Sequence, residues 1–457
     1  MSSIEEHKIH DIHTGVRGLA VKILNRVERT DAYLEKLLDN EMRNSELSGQ
    51  DKALLYEIVH GVVRWMGRLD WILAGFYKGQ FSKALPLLKN ALRVALYQIL
   101  FLDKVPEYAA VNEAVEFVKK LHGQKFADIT NAVLRNIIKT NNEKNLRFPN
   151  PENELLSYLS TFYSHPSWLV KRWLNRFGRE QVELLLAANN ERPLLTLRPN
   201  LLKVSLTEFQ DLLNSVDLKY SAGTYLPEFF KLKTLSNITS WKYFTEGYFN
   251  IQDESTGFSC KLLAPQKGER ILDLCAAPGG KSSFIADMIQ NEGEIIAIDK
   301  FESRTNQVTK AMERLGITCV KAINVDAHAY ENSDLFDRII ADVPCTGLGT
   351  ISKKPDIKWK KELLDIRKSN ILQLNLLNKA ATLVKKDGVI VYSTCTTEPE
   401  ENFDVIESFL KTNENFIIQN ASEFVSKDVV DENGCVQTLP HIHKMDGAFA
   451  ARLLRVK

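Results

Sequence analysis

From Gly268 onward, short β-rich apolar runs alternate with amphipathic helical stretches, and this rhythm restricts the fold more than any other feature of the chain. Arg270-Ile-Leu-Asp-Leu reads as a strand, Lys281 to Gln290 as a helix, Glu294-Ile-Ile-Ala-Ile as a strand, and Glu302 to Leu315 as a helix. Three more strands follow at Cys319 to Ile323, Arg338 to Ala341 and Val389 to Tyr392, with a helix from Glu362 to Val384 before the last. Strands joined by helical crossovers pair in parallel and bury both faces of their sheet. A parallel, doubly wound α/β sheet is expected, with ligands at the carboxyl ends of its strands.

The front of the chain has a different period. Val16, Leu19, Ala20, Ile23, Leu24 and Val27 share one helical face. The period returns from Asp51, from Leu85 to Leu102, from Ala109 to Leu121 and from Phe126 to Ile138. Residues 1–140 therefore read as an all-α bundle. The polar, proline-bearing stretch 141–153 reads as a linker. Helical patterns at Ser167 to Phe177 and Glu180 to Asn189, a strand at Leu194 to Pro199 and a helix from Ser205 to Val216 suggest a small α+β subdomain over 141–245. The α/β part then occupies 246–457. A length of 457 residues is consistent with two to three domains.

The net charge of +1 excludes a strongly basic protein, so any nucleic-acid contact must come from local patches. The start, Met1-Ser-Ser-Ile-Glu-Glu-His, has neither the basic nor the apolar part of a secretory signal, and no apolar run is long enough for a membrane span. Six cysteines without a C-x-x-C pair make zinc and a disulfide framework poor readings. A cytoplasmic location is expected, with no metal and no membrane partner. His441-Ile-His443, without further ligands, does not alter this.

Asp273-Leu-Cys-Ala-Ala-Pro-Gly-Gly-Lys-Ser282 follows a strand and opens a helix, where backbone N–H groups can meet a ligand. Gly280-Lys281-Ser282 fits the end of a phosphate loop, but Cys275 stands where its first glycine belongs. The spaced glycines of a dinucleotide site are also missing. Asp299 ends the next strand and could accept ribose hydroxyls. Asp326 follows the third and could meet an adenine amino group. Taken alone, either could be a helix cap or turn residue. As an ordered set they fit S-adenosylmethionine, with Cys275, Ala276, Ala277, Pro278, Gly279, Gly280, Lys281, Asp299, Arg304, Asp326 and Asp342 as the expected cofactor residues. Two cysteines, Cys345 and Cys395, each follow a β-rich run and suggest covalent catalysis. Cys260, Cys319 and Cys435 read as packing residues.

The segments Leu274-Cys-Ala-Ala-Pro-Gly-Gly-Lys, Asp342-Val-Pro-Cys-Thr-Gly-Leu-Gly, Lys354-Pro-Asp-Ile-Lys-Trp and Tyr392-Ser-Thr-Cys-Thr together resemble the RNA 5-methylcytosine methyltransferases. The helical front end resembles the NusB-like RNA-binding domain that one branch of that family carries. The resemblance implies an all-α NusB-like bundle, a linking subdomain and a Rossmann-like methyltransferase domain, acting as a monomer on small-subunit (16S) ribosomal RNA. It assigns the attack on cytosine C6 to Cys395 and help in release to Cys345, with Asp342 beside the base and the cofactor. DNA cytosine methyltransferases instead attack from a Pro-Cys motif, which here would mean Cys345; the Ser-Thr-Cys context favours Cys395. Transfer RNA as the substrate, or a catalytically vestigial RNA-binding factor, remain alternatives.

Lysines 353, 354, 358, 360 and 361, with Trp359 among them, read as a patch for RNA phosphates and an extruded base. Arg17, Arg26, Arg29, Lys171, Arg172 and Arg176 are softer candidates. Departures from the family pattern are Thr346 for serine, Ser282 for threonine, Ala448 for an aromatic and Met312 for asparagine.

Overall fold

The computed structural model describes residues 14–233 and 238–457, and the chain divides into two compact units. The stretch 1–13, which includes the opening residues read for a signal, lies outside the described residues. The first unit runs to Glu191 and takes in Ile351–Lys360; the second holds Arg192–Thr350 and Lys361–Lys457.

The first unit is helical, as its period implies. Helices span Gly15–Arg29, Leu34–Asn44, Gly49–Phe76, Pro86–Phe101, Glu107–His122 and Gln124–Asn142. Local chemistry sets their ends. Ser48 accepts a bond from the Asp51 amide at 3.2 Å and caps the long third helix. Pro86 occupies a first-turn position that needs no donor. Gly123, at φ 82°, separates the last two helices. Leu55, Ile58, Val62, Leu88, Leu92 and Leu96 lie in one shared core. At Gly61 a Cβ would fall 1.9 Å from the Tyr97 ring, so only glycine lets the third and fourth helices meet there. The buried Arg93 donates two bonds of 2.6 Å to Asp70 and another of 2.6 Å to Glu28. Such pairing is what a buried charge requires.

Helices Leu155–Phe162 and Ser167–Asn190 belong to this unit as well, so it continues past 140 and past the polar stretch after it. The two helical patterns expected between 167 and 189 join across a kink at Gly178, φ 75° and ψ 173°.

Ile351–Lys360 corrects a reading made from the sequence. Lys358 is fully buried, not part of a solvated patch. Its Nζ donates to the Arg64 carbonyl at 2.9 Å and to Asn190 Oδ1 at 3.3 Å. Trp359 Nε1 donates to the Val63 carbonyl at 2.8 Å, and its ring packs over Gly67. Asp356 accepts from the Leu34 amide at 3.1 Å, and Lys360 donates to the Ala32 carbonyl. Of these lysines only Lys354 is exposed; Lys353 and Lys361 are half-buried. Lys358 and Trp359 thus bond to carbonyls inside the helix Gly49–Phe76 of the helical unit, and their polar atoms are engaged there instead of facing solvent as a patch for RNA.

The second unit begins with four short strands, β1 (Leu195–Pro199), β2 (Tyr220–Ala222), β3 (Phe230–Leu232) and β4 (Phe249–Ile251), in the antiparallel order β2-β3-β1-β4. The helix Leu206–Ser215, started by a Ser205–Glu208 capping box, shares a core with them through Phe209 and Leu213.

The large sheet holds β5 (Arg270–Asp273), β6 (Glu294–Asp299), β7 (Val320–Asn324), β8 (Phe336–Asp342), β9 (Val384–Thr394), β10 (Phe416–Gln419), β11 (Val436–Thr438) and β12 (Ala448–Arg455). Five strands run parallel in the order β7-β6-β5-β8-β9. The sheet is mixed, however, not wholly parallel: β12 pairs antiparallel with β9, β10 and β11. The strand–helix alternation carries on through the helix Phe403–Thr412 to β10, which runs in the same direction as β9; the departure is β12, which enters antiparallel between them. Side chains divide by parity. Ile271, Ala297, Ile340 and Val391 face one core with the helices Glu254–Leu263, Gly280–Met288 and Glu302–Leu315. Leu272, Ile296, Ile339 and Ile390 face another with Leu363–Leu383 and Phe403–Thr412. This period of two, buried on both faces, explains why the strands read as unbroken apolar runs. The order turns at β5, between β6 and β8, which is the switch point where such sheets open a crevice.

Candidate active site

The glycine turn leaves β5 at that switch point. Gly279 adopts φ 101°, a conformation that favours glycine, and precedes the helix Gly280–Met288 without any side-chain cap. The helix start therefore presents backbone donors that no side chain of its own N-cap consumes. A Cβ on Gly279 would lie 3.1 Å from the methyl of Met312, which is buried beneath the turn. Ser282 keeps the hydroxyl and donates it to Asp273 Oδ2 at 2.6 Å. Burial pushes the Asp273 carboxyl up to about 7.

Asp299 ends β6 and is nearly buried. It accepts from the Phe301 amide at 3.1 Å and meets Arg304 Nε at 3.4 Å. Arg304 also donates to the Ala277 carbonyl at 3.1 Å and so ties the glycine turn to the Asp299 carboxylate. Asp326 lies just past β7. Lys300 pairs with it at 3.0 Å and holds its carboxyl below the usual range, and the His328 amide closes a turn on its other oxygen at 3.0 Å. Asp326 thus has both a turn-forming role and a place beyond a strand end.

The reactive candidates come from adjacent parallel strands. Asp342 ends β8 in register with Ser393 of β9, and Ser393 donates to Asp342 Oδ1 at 2.9 Å. Lys281 reaches Asp342 Oδ2 at 2.5 Å. Burial draws the Lys281 ammonium down, but the Asp342 carboxylate outweighs it and holds it above the ordinary lysine value. Beyond these strand ends Cys345 Sγ stands 3.1 Å from Cys395 Sγ, both as free thiols. The Cys395 amide also points at Cys345 Sγ, at 3.4 Å. Shared hydrogen bonding with Cys395, and then burial, push the Cys345 thiol well up. A thiol held in its protonated form beside a second sulfur can stabilise that second sulfur as a thiolate.

Glycines allow the loops to close on one another. The Gly349 amide donates to the Cys395 carbonyl at 3.1 Å, and a Cβ there would fall 1.9 Å from the Gly447 carbonyl oxygen. A cavity of about 20 Å³ lies against Cys395, bounded by Lys281, Ser255, Thr256, Ser393 and Ala448 among others. A wider depression of about 460 Å³ at Glu331, Asn332, Lys379 and Thr382 adjoins the amino-end side of β8 and β9, away from the thiols.

Cys260 and Cys435 are fully buried and Cys319 is half-buried, and burial raises all three thiols. Cys275 packs at the edge of the core. His443 is engaged with the Asp428 carbonyl at 3.0 Å and the Leu439 amide at 2.8 Å. Among the softer RNA candidates, Arg17 is bound to Gln98 and Glu113, whereas Arg26, Arg29, Lys171 and Arg176 are exposed. The sequence reading missed Glu401, Gln373 and Thr396, which lie buried behind the thiols. Glu401 sits in Glu398-Pro-Glu-Glu-Asn, an acidic run that looks like a solvated turn. Its proximity to Ser-Thr-Cys was the only available signal.

Family models match the chain in three stretches: the NusB family over residues 14–139, an RsmF/B-like methyltransferase ferredoxin-like domain over 165–239, and 16S rRNA methyltransferase RsmB/F over 260–454. The chain is 35% identical over 446 residues to a probable ribosomal RNA small subunit methyltransferase B of Bacillus subtilis, covering 95% of this chain and 98% of that one. It is 31% identical to ribosomal RNA small subunit methyltransferase B of Escherichia coli O1:K1, covering 96% and 98%. The crystal structure of PH0851 aligns with a TM-score of 0.80 at 26% identity, over 96% of this chain and 99% of that one. This chain joins a NusB-type helical front, a ferredoxin-like domain and a methyltransferase domain, it matches these curated relatives along nearly their full length, and it belongs to the ribosomal RNA small subunit methyltransferase B family.

Proposed function

We propose that this methyltransferase modifies C5 of a cytosine in 16S ribosomal RNA, using S-adenosylmethionine and a transient bond between Cys395 and cytosine C6. The 3.1 Å separation of two free thiols beside the Lys281–Asp342 pair carries this reading. In the same reading, residues 1–140 form an RNA-binding helical part, 141–245 a linking part and 246–457 the catalytic part. The chain acts as a monomer in the cytoplasm.

The residues at the switch point fit the cofactor. An uncapped helix start suits a carboxylate, and a strand-end carboxylate suits ribose hydroxyls. Residues 275–281 would hold the methionyl end, Asp299 the ribose and Asp326 the adenine amino group, with Arg304 bracing turn and carboxylate together. When bound, S-adenosylmethionine supplies an electrophilic methyl group on a sulfonium.

The chain's own groups supply the rest. Cytosine C5 is a weak nucleophile until a thiolate adds at C6 and pushes electron density to C5. Cys395 makes that bond. Asp342, steadied by Lys281 and Ser393, faces N3 and the exocyclic amino group as charge develops there. Once Cys395 is a thioether it no longer shares a proton with Cys345 or repels its charge. Two of the causes that raise the Cys345 thiol then vanish. Cys345 can then give its proton to solvent and, as a thiolate, take the proton on C5; the C5–H electron pair forms the C5–C6 double bond as the Cys395–C6 bond breaks and its pair returns to Cys395.

The test is tritiated methyl transfer to small-subunit RNA that lacks the modification, followed by bisulfite mapping. Cys395→Ala is expected to bind the cofactor but transfer nothing. Cys345→Ala is expected to accumulate a protein–RNA adduct that survives denaturing electrophoresis. Near-normal turnover by Cys395→Ala would refute its assignment as nucleophile.

A further inference from the structure

We propose that Glu401 is the positioning residue for the release step, holding Cys345 in place by fixing both of its neighbours in the chain. The proposal rests on the covalent reading above and adds a residue to it.

Glu401 ends a short turn, Pro399–Glu401, and is fully buried. Its Oε1 accepts from the Thr346 amide at 2.8 Å, and its Oε2 accepts from the Thr346 hydroxyl. Gln373, also fully buried, donates through one Nε2 to Glu401 Oε1 at 3.1 Å and to the Pro344 carbonyl at 3.0 Å. Pro344 and Thr346 flank Cys345. One carboxylate therefore governs the peptide on both sides of that thiol, directly on one side and through Gln373 on the other.

The same group also reaches the second loop. Thr346 Oγ1 lies 3.1 Å from Thr396 Oγ1, next to Cys395. Tyr392 donates its hydroxyl to the Glu401 carbonyl at 2.6 Å, and Asn402 bonds Thr394 at 2.6 Å and the Thr396 carbonyl at 3.1 Å. The two thiols differ in their dependence on this group. Cys395 continues directly from β9, whose ladder to β8 fixes it up to Ser393. Cys345 lies three residues past its strand, with no ladder partner, so its position falls to side-chain bonds. A buried carboxylate is costly to keep unless it is fully hydrogen-bonded, and here all the named donors converge on the Cys345 loop. Attack needs Cys395; release needs Cys345 within reach of the C5 proton. Loss of Glu401 should therefore spare the first step and slow the second.

The experiment compares wild type, Cys345→Ala, Glu401→Ala, Glu401→Gln and Thr346→Val as full-length proteins on the same RNA. It reads cofactor affinity, denaturant-stable adduct and methylated product in single turnovers. Glu401→Ala is expected to bind cofactor as wild type does, to accumulate adduct as Cys345→Ala does, and to form product about 100-fold more slowly, the scale set by a misplacement near 1 Å. Glu401→Gln keeps shape and an oxygen acceptor and is expected to restore release to within about tenfold of wild type, the scale of one hydrogen bond to a charged group. If Glu401→Ala proves too unstable to assay, Thr346→Val, which removes only the bridging hydroxyl, should show a smaller build-up of adduct. Normal turnover in both Glu401→Ala and Thr346→Val, or equal loss of adduct and product in either, would overturn the proposal while leaving the covalent mechanism intact. If wild type makes no methylated product and Cys345→Ala no adduct, the mechanism fails and the proposal fails with it.

Discussion

Two lysines, the mostly covered Lys281 in the methyltransferase unit and the fully buried Lys358 in the helical unit, have the same side chain and opposite surroundings. Lys281 faces a carboxylate, Asp342, at 2.5 Å and is held above its ordinary value. Lys358 faces two neutral oxygens, the Arg64 carbonyl and Asn190 Oδ1, and burial together with the Arg64 charge pulls it well below. The neighbouring His165 is pulled down by its own burial and by Lys358. A cation beside an anion is held to its charge; a buried one beside carbonyls is held to it far less strongly. The difference separates a lysine paired with a carboxylate from one packed against neutral oxygens, and each side of it can be tested.

The largest effect is expected at Lys281. Lys281→Met leaves the Asp342 carboxylate without its partner, and methyl transfer should fall about 10³-fold, as when a preorganised polar contact is lost. The tritium assay measures this, with circular dichroism as the control for folding. Retention of more than a tenth of the activity would place Lys281 beside Lys358 as a packing residue.

An intermediate effect on stability is expected in the helical unit. Trp359→Ala removes the ring that packs over Gly67 and the bond to the Val63 carbonyl, and should cost about 3 kcal/mol. Calorimetry would register it as a lower first transition, since a chain of two compact units need not melt in one step. An unchanged thermogram would show that Ile351–Lys360 is not part of that unit's core.

The smallest effect should come from Lys358→Met. Loss of two hydrogen bonds is offset by relief of a desolvated amine, and the net change should stay within about 1 kcal/mol near neutral pH. Its signature is in the pH dependence. The folded-state value lies below the unfolded value of 10.5. Between the two, the unfolded chain holds a proton that the folded chain does not, so wild-type stability gains from this group as pH rises through that window. Lys358→Met should lack the gain, which melting temperatures from pH 7 to pH 10 would reveal. Identical slopes would mean that Lys358 stays charged when folded.

Much of this molecule could be read from local pattern. The period of 3.6 before residue 140, the strand–helix rhythm after 268 and the glycine turn each depend on near neighbours in the chain. Cys345 and Cys395 were legible because each follows a strand, and strands that pair in parallel bring their ends together. The lysine patch was misread for a definite reason. Lys358 and Lys360 meet acceptors near residues 64 and 32, roughly 300 positions away, and no local feature marks them. Glu401 was hidden in the same way, since an acidic turn looks solvated until Thr346 and Gln373 arrive from other elements. The direction of β12 was not legible because it enters between β9 and β10, strands that are not both its neighbours in the chain.

The sequence by itself determined which elements form, where the glycine turn lies and which two thiols follow strand ends, because those features follow from residue spacing within a few turns of chain. Only the tertiary structure decided which charges are buried, what each one faces, and that one carboxylate holds the Cys345 loop from both sides. Burial and hydrogen bonding are set by groups that are distant in the chain and adjacent in space, and these settle whether a lysine or glutamate serves the reaction or the packing.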